Sequence, residues 1–545
     1  MRSRSRRSLL LVAAFLAIVA VGAGLRFWAL DFGLPHLMTR PDEEVILVET
    51  KAPASGNFDF GYGVYPTAYV VLTWLWGAVG LNLLQLLGAA PPGSYLQVID
   101  ASPADVLLLE RSLSGVAGVL AVVLLAYFAR RELGTCAGLL AAAFLATCFL
   151  HVRDSHSAKP DVLMSLGVVA ALGCMAPLAR AAETGRAVAT GVVIGLAMGT
   201  KYPAVLLCVP LWVACFAGTK GTIVQRLVPR AAIFGGIAAA VTFVVTSPDL
   251  LLNPATRSKV LGFVPLVFPQ WFPEVAPGGP APGAVDVAPV GEGDGFAYYA
   301  GFALRYGIGL PALVLLPFAT LWGFFSGNGL PLVAAVFAVV SYVVLSASPA
   351  LLSRYMTPVT PAIAILLAGA VVAALRRFVP ERGLAVTLAV AALVLVAEPL
   401  ARSVAHDRIA SREDTRVLAS RWLEEHVPPD ARVAVAGTVF WGWGEPWIPP
   451  PREMVRTRLD AAEIDASGAS FLLTHDHVLF ASRVDPAALA ALSGRLELRA
   501  EFEPFVAARD EARFDLQDAF YIPMAGFGAV ERPGPQVRIY AWRKP

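Results

Sequence analysis

Long apolar runs separated by short polar segments fill the first 400 residues of the chain. The first run covers about residues 8–27 and directly follows four arginines between Arg2 and Arg7. Ten further apolar runs follow, at about residues 105–128, 134–151, 161–179, 187–200, 203–217, 228–247, 298–325, 330–347, 357–376 and 383–400. Because a helix needs about 20 apolar residues to cross a bilayer, the pattern predicts a polytopic α-helical membrane protein with about eleven spans.

One more apolar run, at residues 65–88, allows two topologies. If this run crosses the membrane, Arg130 and Arg131 lie outside, against the tendency of arginines to stay on the cytoplasmic side. If it lies at the interface or re-enters, which Trp74 and Trp76 favour, both arginines are cytoplasmic. We adopt the second arrangement.

This arrangement predicts the side of the membrane for each loop. The N-terminus is cytoplasmic, and residues 28–104 and 248–297 form external loops, the second of them rich in proline and glycine. About eleven crossings that start from a cytoplasmic N-terminus place the C-terminal tail outside. We therefore expect an integral protein of the plasma (inner) membrane with an exoplasmic functional face.

The tail from residue 401 onwards differs from the rest, because it is dense in charge and only moderately hydrophobic. Its apolar spacing predicts an amphipathic helix over residues 411–426. Short β-type runs bounded by turn residues predict strands at about 432–436, 470–474 and 536–542. We expect a membrane module over 1–400 and a small extracytoplasmic α/β domain over 401–545.

Composition narrows the possible functions. Hydrophobic residues make up 57% of the 545 residues, and charged residues only 15%. The formal net charge of +2 argues against a nucleic-acid partner. All five cysteines fall in or beside apolar runs before residue 400, which predicts neither a disulfide framework nor a paired-cysteine metal site.

An acidic segment, Arg40-Pro41-Asp42-Glu43-Glu44, follows the first apolar run. Asp42 is our candidate for a general base, and Glu43 would orient it, the acceptor or a metal ion. The same residues are also typical of a helix start, where an early proline and acidic side chains are favourable. Both interpretations are compatible.

A second polar segment, His151 to Asp161, lies between two apolar runs. Such a loop can simply set topology, but two histidines, two cations and two acids exceed what a turn needs. We take it as a substrate-binding segment, with the candidates Arg153, Asp154, His156, Lys159 and Asp161. Lys201 and Arg354 also interrupt apolar sequence, where an ionisable residue marks either function or an interfacial anchor.

Carboxylates and cations on an outer membrane face fit the transfer of a sugar from a lipid phosphate. Lys or Arg can stabilise the phosphate leaving group, and a carboxylate can accept the proton of the attacking hydroxyl. A transporter or flippase with the same charges along its path is the alternative. We find no duplicated halves of the kind that transporters often have, which favours an enzyme.

Several segments together resemble the GT-C membrane glycosyltransferases. Within that family they are similar to the bacterial homologues of dolichyl-phosphate-mannose protein mannosyltransferases (glycosyltransferase family 39) and to the lipid A aminoarabinose transferases. The segments that carry the resemblance, in chain order, are Pro41-Asp42-Glu43, Tyr65-Pro66-Thr67-Ala68-Tyr69, Arg111–Arg131, His151–Asp161, Gly195–Tyr202 and Arg354-Tyr355 with Pro358.

The resemblance, which covers about residues 8–400, implies an inverting hexosyl- or pentosyltransferase that uses a polyprenyl-phosphate-linked sugar. It implies that Asp42 is catalytic and that Tyr65 and Tyr355 join the substrate-binding residues. The acceptor would be a protein, glycan or lipid hydroxyl. It leaves open whether a divalent cation such as Mg²⁺ or Mn²⁺ takes part. Thr67, where a second proline is common, and the loop 269–295 depart from the family pattern and bear on the choice of acceptor.

Overall fold

Breaks in the apolar helices, rather than the helices themselves, bring polar side chains together in this protein. The computed structural model describes residues 2–57, 65–254, 256–258, 294–327, 329–348, 350–437 and 442–544. Most of the predicted external loop 248–297 therefore lies outside the described residues.

The chain divides into two units, which we describe separately. Unit 1 consists of Met1–Trp28, Val45–Ala101 and Leu108–Ser403. Unit 2 consists of Ala29–Glu44, Ser102–Leu107 and Val404–Pro545. This division differs from a single boundary at residue 400, because the segment that carries Asp42 folds with the C-terminal part of the chain.

Seven helical segments among the described residues are long and apolar enough to cross a membrane. They are Leu9–Phe27, Thr67–Leu86, Pro103–Leu133, Ile223–Thr246, Gly329–Ser346, Ser353–Phe378 and Glu381–His426. A helix pair bent by 120°, Gly295–Gly307 and Leu310–Phe325, makes eight if it counts as one span. Four apolar helices are shorter: Thr135–Thr147, Pro160–Met175, Thr184–Met198 and Tyr202–Gly218.

The polytopic helical architecture is thus confirmed, whereas the predicted number of eleven spans is not. Thr67–Leu86 has the length of a span, so the interfacial placement of residues 65–88 stays a prediction. Smaller helical segments connect the long ones, at Glu43–Glu49, Lys51–Ala54, Tyr95–Ala101, Phe149–Asp154 and Asp249–Leu252. Two 3₁₀ segments, Tyr202–Leu207 and Ser353–Val359, contain Pro203 and Pro358.

Glycine allows two helices of unit 1 to approach very closely. A Cβ atom added at Gly191 would lie 2.0 Å from the backbone oxygen of Gly235, and one at Gly195 would lie 2.5 Å from that of Ala239. Helices in membranes associate through small residues because apolar burial alone gives no advantage in lipid. This contact joins Thr184–Met198 to Arg230–Thr246 and fixes the helix that ends just before Lys201.

Unit 2 contains a five-stranded mixed sheet. Its strands are β1 (Arg432–Ala436), β2 (Glu453–Thr457), β3 (Phe471–Asp476), β4 (Leu496–Phe502) and β5 (Gln536–Trp542). The spatial order is β2-β1-β3-β5-β4, with β2, β1 and β3 parallel and the last two strands antiparallel to their neighbours. The predicted α/β character of the tail is therefore correct.

Helices cover both faces of the sheet. Thr415–His426 begins after Asp414, whose side chain accepts a hydrogen bond from the Arg416 amide and caps the helix. Ala419 and Leu423 of this helix pack with Val433 of β1 on one face. On the other face Ile464, from the helix Ala461–Ser467, packs with neighbouring residues of β1 and β3.

Candidate functional site

Lys201 and Asp161 form a direct ion pair in unit 1. The Nζ atom of Lys201 lies 2.5 Å from Oδ1 of Asp161, and their side chains are 12% and 3% exposed. Asp161 occupies the first turn of the helix Pro160–Met175, while Lys201 follows the helix Thr184–Met198. The lysine also lies over the ring of Tyr355, 4.9 Å from its centroid.

A small pocket opens beside this ion pair. Its walls are mostly apolar, and its few polar groups lie on Asp161, Lys201, Ser341 and Tyr355. The complete lining consists of Asp161, Met164, Lys201, Pro203, Leu206, Phe337, Ser341, Leu345, Tyr355, Pro358 and Val359. A cavity with one charged part and an otherwise apolar wall suits a ligand with an ionic head and a hydrocarbon tail.

Arg153 and Asp154 are joined to the 3₁₀ segment Ser353–Val359. Arg153 donates a hydrogen bond of 2.7 Å to Ser353 Oγ, and Thr357 Oγ1 donates one of 2.5 Å to Asp154 Oδ2. All four residues are buried. These contacts bring the second polar segment of the sequence to the segment that contains Arg354 and Tyr355.

Arg354 adds a second cation near Lys201. It is 9% exposed, and both Arg354 and Asp154 lie close enough to Lys201 to act on its charge. With Arg153 beside Asp154, this region holds three cations and two carboxylates, so its local charge is positive and can accept an anion. An anionic group bound here would relieve the repulsion between the cations.

Other predicted substrate-binding residues make contacts within the protein, and their role in binding stays a prediction. The ring nitrogens of His156 lie 2.9 Å from the backbone oxygens of Val152 and Trp28, so this ring fastens the loop. Lys159 is 2% exposed, and its backbone oxygen accepts a hydrogen bond from Ser114. Tyr65 is half-buried and packs against Tyr69 at 6.1 Å between ring centroids.

The sequence analysis missed a buried chain of hydrogen bonds, through Arg26, His151 and Ser165, that holds the start of the second polar segment. Arg26 donates to the backbone oxygens of Leu145 and Ala146 and to Nδ1 of His151. An arginine can only donate, so Nδ1 accepts and Nε2 carries the proton, which it can donate to Ser165 Oγ at 3.0 Å. Arg26 lies at the end of the first apolar run. An ionisable residue in apolar sequence is energetically unfavourable, so this position could have been recognised from the sequence.

A second missed group consists of Glu110, Thr50 and Tyr95. Glu110 is 1% exposed, and its Oε1 accepts hydrogen bonds from Thr50 at 2.9 Å and from Tyr95 at 2.7 Å. These three side chains tie the start of the helix Pro103–Leu133 to the segments before it. Glu110 lies within the apolar run 105–128, so the cost of an ionisable residue in apolar sequence was a signal here too, whereas only the fold identifies Thr50 and Tyr95 as its partners.

Asp42 and Glu43 belong to unit 2. Asp42 is half-buried and has a backbone φ of 74°, in the left-handed region that few residues other than glycine adopt. Glu43 is fully buried and begins the helix Glu43–Glu49. Both sequence interpretations of this segment thus stay compatible, because Glu43 starts a helix while Asp42 adopts an unusual conformation directly before it.

The tail histidines that alternate on β3 have protein partners. His475 Nδ1 lies 3.0 Å from Ser482 Oγ, and burial lowers the pKa of His475 to about 4. His477 packs against Phe514 and Tyr521, and burial also lowers its pKa. Both rings are therefore neutral near pH 7.

The family resemblance left open a divalent cation, which can be tested against the acids of unit 1. Asp161 already holds the ammonium of Lys201 at 2.5 Å, and Asp154 accepts from the Thr357 hydroxyl. Mg²⁺ prefers several hard oxygen ligands in an open octahedral arrangement. A carboxylate that already neutralises a lysine fits such an ion poorly.

Comparison with known proteins agrees with the motif analysis. Residues 109–251 match the family model described as dolichyl-phosphate-mannose-protein mannosyltransferase. No curated protein matches the chain. The match covers the segments around Arg153, Asp161 and Lys201.

Solved structures with a similar fold cover nearly the whole chain. ArnT from Cupriavidus metallidurans in the apo state has 15% identity and a TM-score of 0.52 over 98% of each chain. The same protein bound to undecaprenyl phosphate has 16% identity and a TM-score of 0.52, again over 98% of each chain. The oligosaccharyltransferase of Archaeoglobus fulgidus tethered with an acceptor peptide has 11% identity and a TM-score of 0.51, over 86% of this chain and 69% of that one.

These findings confirm the resemblance to the GT-C membrane glycosyltransferases. The fold is of the GT-C type, with many apolar helices and a small C-terminal sheet domain. The chain is accordingly an integral membrane protein.

Proposed function

We propose that this protein is a membrane glycosyltransferase that moves a sugar from a polyprenyl-phosphate-linked donor to an acceptor hydroxyl on the exoplasmic face. The observation that carries the proposal is the pocket of unit 1, where Lys201 lies among apolar residues. A lipid phosphate has the same division between one ionic group and a long apolar chain. The fold of ArnT, whose structure has been solved with undecaprenyl phosphate, supports the same class of ligand.

In this proposal, Lys201 and Arg354 bind the donor phosphate. Asp161 holds the Lys201 ammonium in place, and Arg153 and Asp154 stabilise the segment that carries Arg354. As the bond between the sugar and the phosphate breaks, negative charge grows on the phosphate oxygens. Fixed cations in an apolar pocket stabilise that charge more strongly than water does.

Asp42 is the proposed general base, with Glu43 as the residue that orients it. The acceptor oxygen attacks the anomeric carbon, the bond from that carbon to the phosphate oxygen breaks, and the polyprenyl phosphate departs with the electron pair. The hydroxyl proton passes to the Asp42 carboxylate. One displacement inverts the anomeric centre, and no covalent enzyme intermediate forms.

The acceptor is a hydroxyl group of a protein, a glycan or a lipid, and the transferred sugar is a hexose or a pentose. We place the protein in the plasma (inner) membrane, with a cytoplasmic N-terminus and an extracytoplasmic C-terminal domain. The distribution of arginines along the sequence supports that orientation.

Transfer assays with the purified protein in lipid test the proposal. We would offer a panel of radiolabelled polyprenyl-phosphate sugars with membrane extract as acceptor, and compare wild type with Asp42→Asn. Asparagine has the same shape and tolerates left-handed backbone, so the variant removes the base without disturbing the conformation. Loss of a general base costs roughly 10²- to 10⁴-fold in rate.

Transfer by wild type that collapses in Asp42→Asn supports both the reaction and the base. Equal transfer by both proteins keeps the glycosyltransferase but removes Asp42 as its base, and directs the search to Asp154 and Asp161. Donor uptake into vesicles without transfer would instead support a transporter or flippase.

A further inference from the structure

The segment that contains Asp42 is fixed to the C-terminal part of the chain by contacts on both sides of that residue. Met38 and Arg40 before Asp42, and Glu44 after it, each contact a residue between positions 414 and 518. All of these residues belong to unit 2. The contacts therefore lie within one folded unit.

The first contact is a fully buried ion pair between Arg40 and Asp518. Arg40 Nη1 lies 2.5 Å from Asp518 Oδ2, and the side chains are 1% and 2% exposed. The Arg40 guanidinium also lies 4.3 Å from the ring centroid of Phe520. Removing one partner of such a pair leaves an uncompensated buried charge, so the pair resists separation.

The second contact runs through Arg416. Its guanidinium donates hydrogen bonds to both carboxylate oxygens of Asp414, and Nη1 donates to the backbone oxygens of Met38 and Trp443. Both side chains are 1% exposed, so the two buried charges compensate each other. Arg416 thus stays charged and holds the backbone two residues before Arg40.

The third contact lies on the other side of Asp42. The indole Nε1 of Trp443 donates a hydrogen bond of 2.8 Å to Glu44 Oε1. Trp443 is also the residue whose backbone oxygen accepts from Arg416. One short segment of the tail therefore connects to both flanks of the Asp42 segment.

Between these contacts, Asp42 has a left-handed backbone with φ of 74°. Aspartate tolerates this region better than most residues with a side chain, but the conformation is still uncommon and persists where the surrounding structure fixes it. Contacts at positions 38, 40 and 44 supply that fixation. Strain held in place by neighbours is typical of residues whose side chain must point in one direction.

We propose that Asp518 and Trp443 are positioning residues that hold Asp42 in its working conformation. This inference rests on the proposed function, in which Asp42 accepts a proton. Neither residue touches the reacting atoms in that mechanism, because both act through the backbone on either side of Asp42. A misplacement of about 1 Å can cost roughly 10²-fold in rate, so weakening either contact should lower kcat.

The test uses Asp518→Asn and Trp443→Phe in the full-length protein in lipid, each with a matched control. Glu453→Gln removes a carboxylate from the exposed pair with Arg432 in the same unit, and Trp447→Phe alters a tryptophan that is 58% exposed. We expect kcat to fall at least roughly tenfold in the two test variants, with KM for the donor lipid within about twofold of wild type. Both controls should behave as wild type.

A double variant, Arg40→Met with Asp518→Leu, separates positioning from stability. Replacing both members of a buried ion pair by apolar residues is often neutral for folding, so this protein should unfold near the wild-type temperature. It still lacks the contact, and we expect its kcat to stay low. Return of kcat to the wild-type level would show a purely structural role and overturn the inference for Asp518.

Amide hydrogen exchange over residues 36–46 gives a readout that does not depend on catalysis. We expect faster exchange there in Asp518→Asn and Trp443→Phe than in their controls. If wild type transfers no sugar, the proposed function fails, and exchange alone decides whether the tail fixes this segment. If Trp443→Phe and Asp518→Asn both keep the kcat and the exchange rates of the wild type, the inference is overturned. If Asp518→Asn does not fold, the result for Trp443→Phe decides.

Discussion

The two candidate regions obtain their geometry in different ways. In unit 1, Lys201 and Asp161 meet because each lies at the end of an apolar helix, and the packing of those helices brings the ends together. In unit 2, Asp42 lies in an irregular segment whose conformation depends on residues almost 500 positions away, such as the partner of Arg40, Asp518. One region is built from helix ends, the other from long-range side-chain contacts.

The difference has a physical origin in the cost of charge. An ionisable residue in apolar sequence is expensive, so it stands out and needs an opposite charge or a ligand. A charged residue in the tail does not stand out in the sequence, because the tail is dense in charge and water solvates such residues in the unfolded chain. The consequence is that a helix-end site, which combines several contacts, should lose activity in steps as single hydrogen bonds are removed, whereas the contact of Arg40 with Asp518 is lost as a whole when either partner is replaced.

We expect the largest effect on activity from a substitution at Lys201, in the region built from helix ends. Lys201→Gln should lower kcat/KM for the donor lipid roughly 100-fold, because a charge-assisted contact to phosphate is lost and Asp161 becomes an unpaired acid. The double variant with Asp161→Asn should recover the folding stability but not the activity. Steady-state transfer and thermal unfolding measure the two effects, and full activity in the double variant would remove Lys201 from the donor site.

A smaller effect concerns the acid stability of unit 2. His475 has a pKa of about 4 in the folded protein because of burial, against 6.5 in the unfolded chain. Below pH 6.5 the unfolded state therefore binds a proton that the folded state does not, and stability falls as the pH decreases towards 4. At pH 5 the loss is about 2 kcal/mol for this group, and His477 acts in the same direction.

Two probes can separate the units in that experiment. All five cysteines precede residue 400, so a thiol-reactive dye follows the unfolding of unit 1, while limited proteolysis of the tail follows unit 2. Acidification from pH 7.5 to 5 should weaken the tail more than the helices. The variant His475→Asn, whose amide can replace the contact of Nδ1 with Ser482, should reduce the pH dependence; an unchanged pH profile would assign it to other groups.

The contrast between the regions also explains what the sequence could predict. Apolar runs predicted the membrane helices, and the fold brings together Lys201 and Asp161, which the sequence analysis named separately as candidate site residues. Strands β1, β3 and β5 were predicted because each contains a run of apolar residues. The edge strands β2 and β4 were missed because most of their side chains are partly or fully exposed. The contacts of Arg40, Arg416 and Trp443 could not be predicted, because a local sequence pattern does not indicate a partner hundreds of residues away.

The smallest effect sharpens the claim that helix-end sites respond gradually. Thr357→Val removes the hydroxyl that donates to Asp154, and the buried acceptor loses about 1–2 kcal/mol of interaction. We expect roughly a tenfold decrease in kcat/KM, with Thr357→Ser close to wild type. Thr320→Val is the matched control, because that hydroxyl bonds only the backbone oxygen of Leu316 in its own helix. A complete loss of activity in Thr357→Val, or an equal loss in the control, would contradict a graded response. A site assembled from several helix ends distributes its binding energy over several contacts, so removing one hydrogen bond should remove only part of that energy.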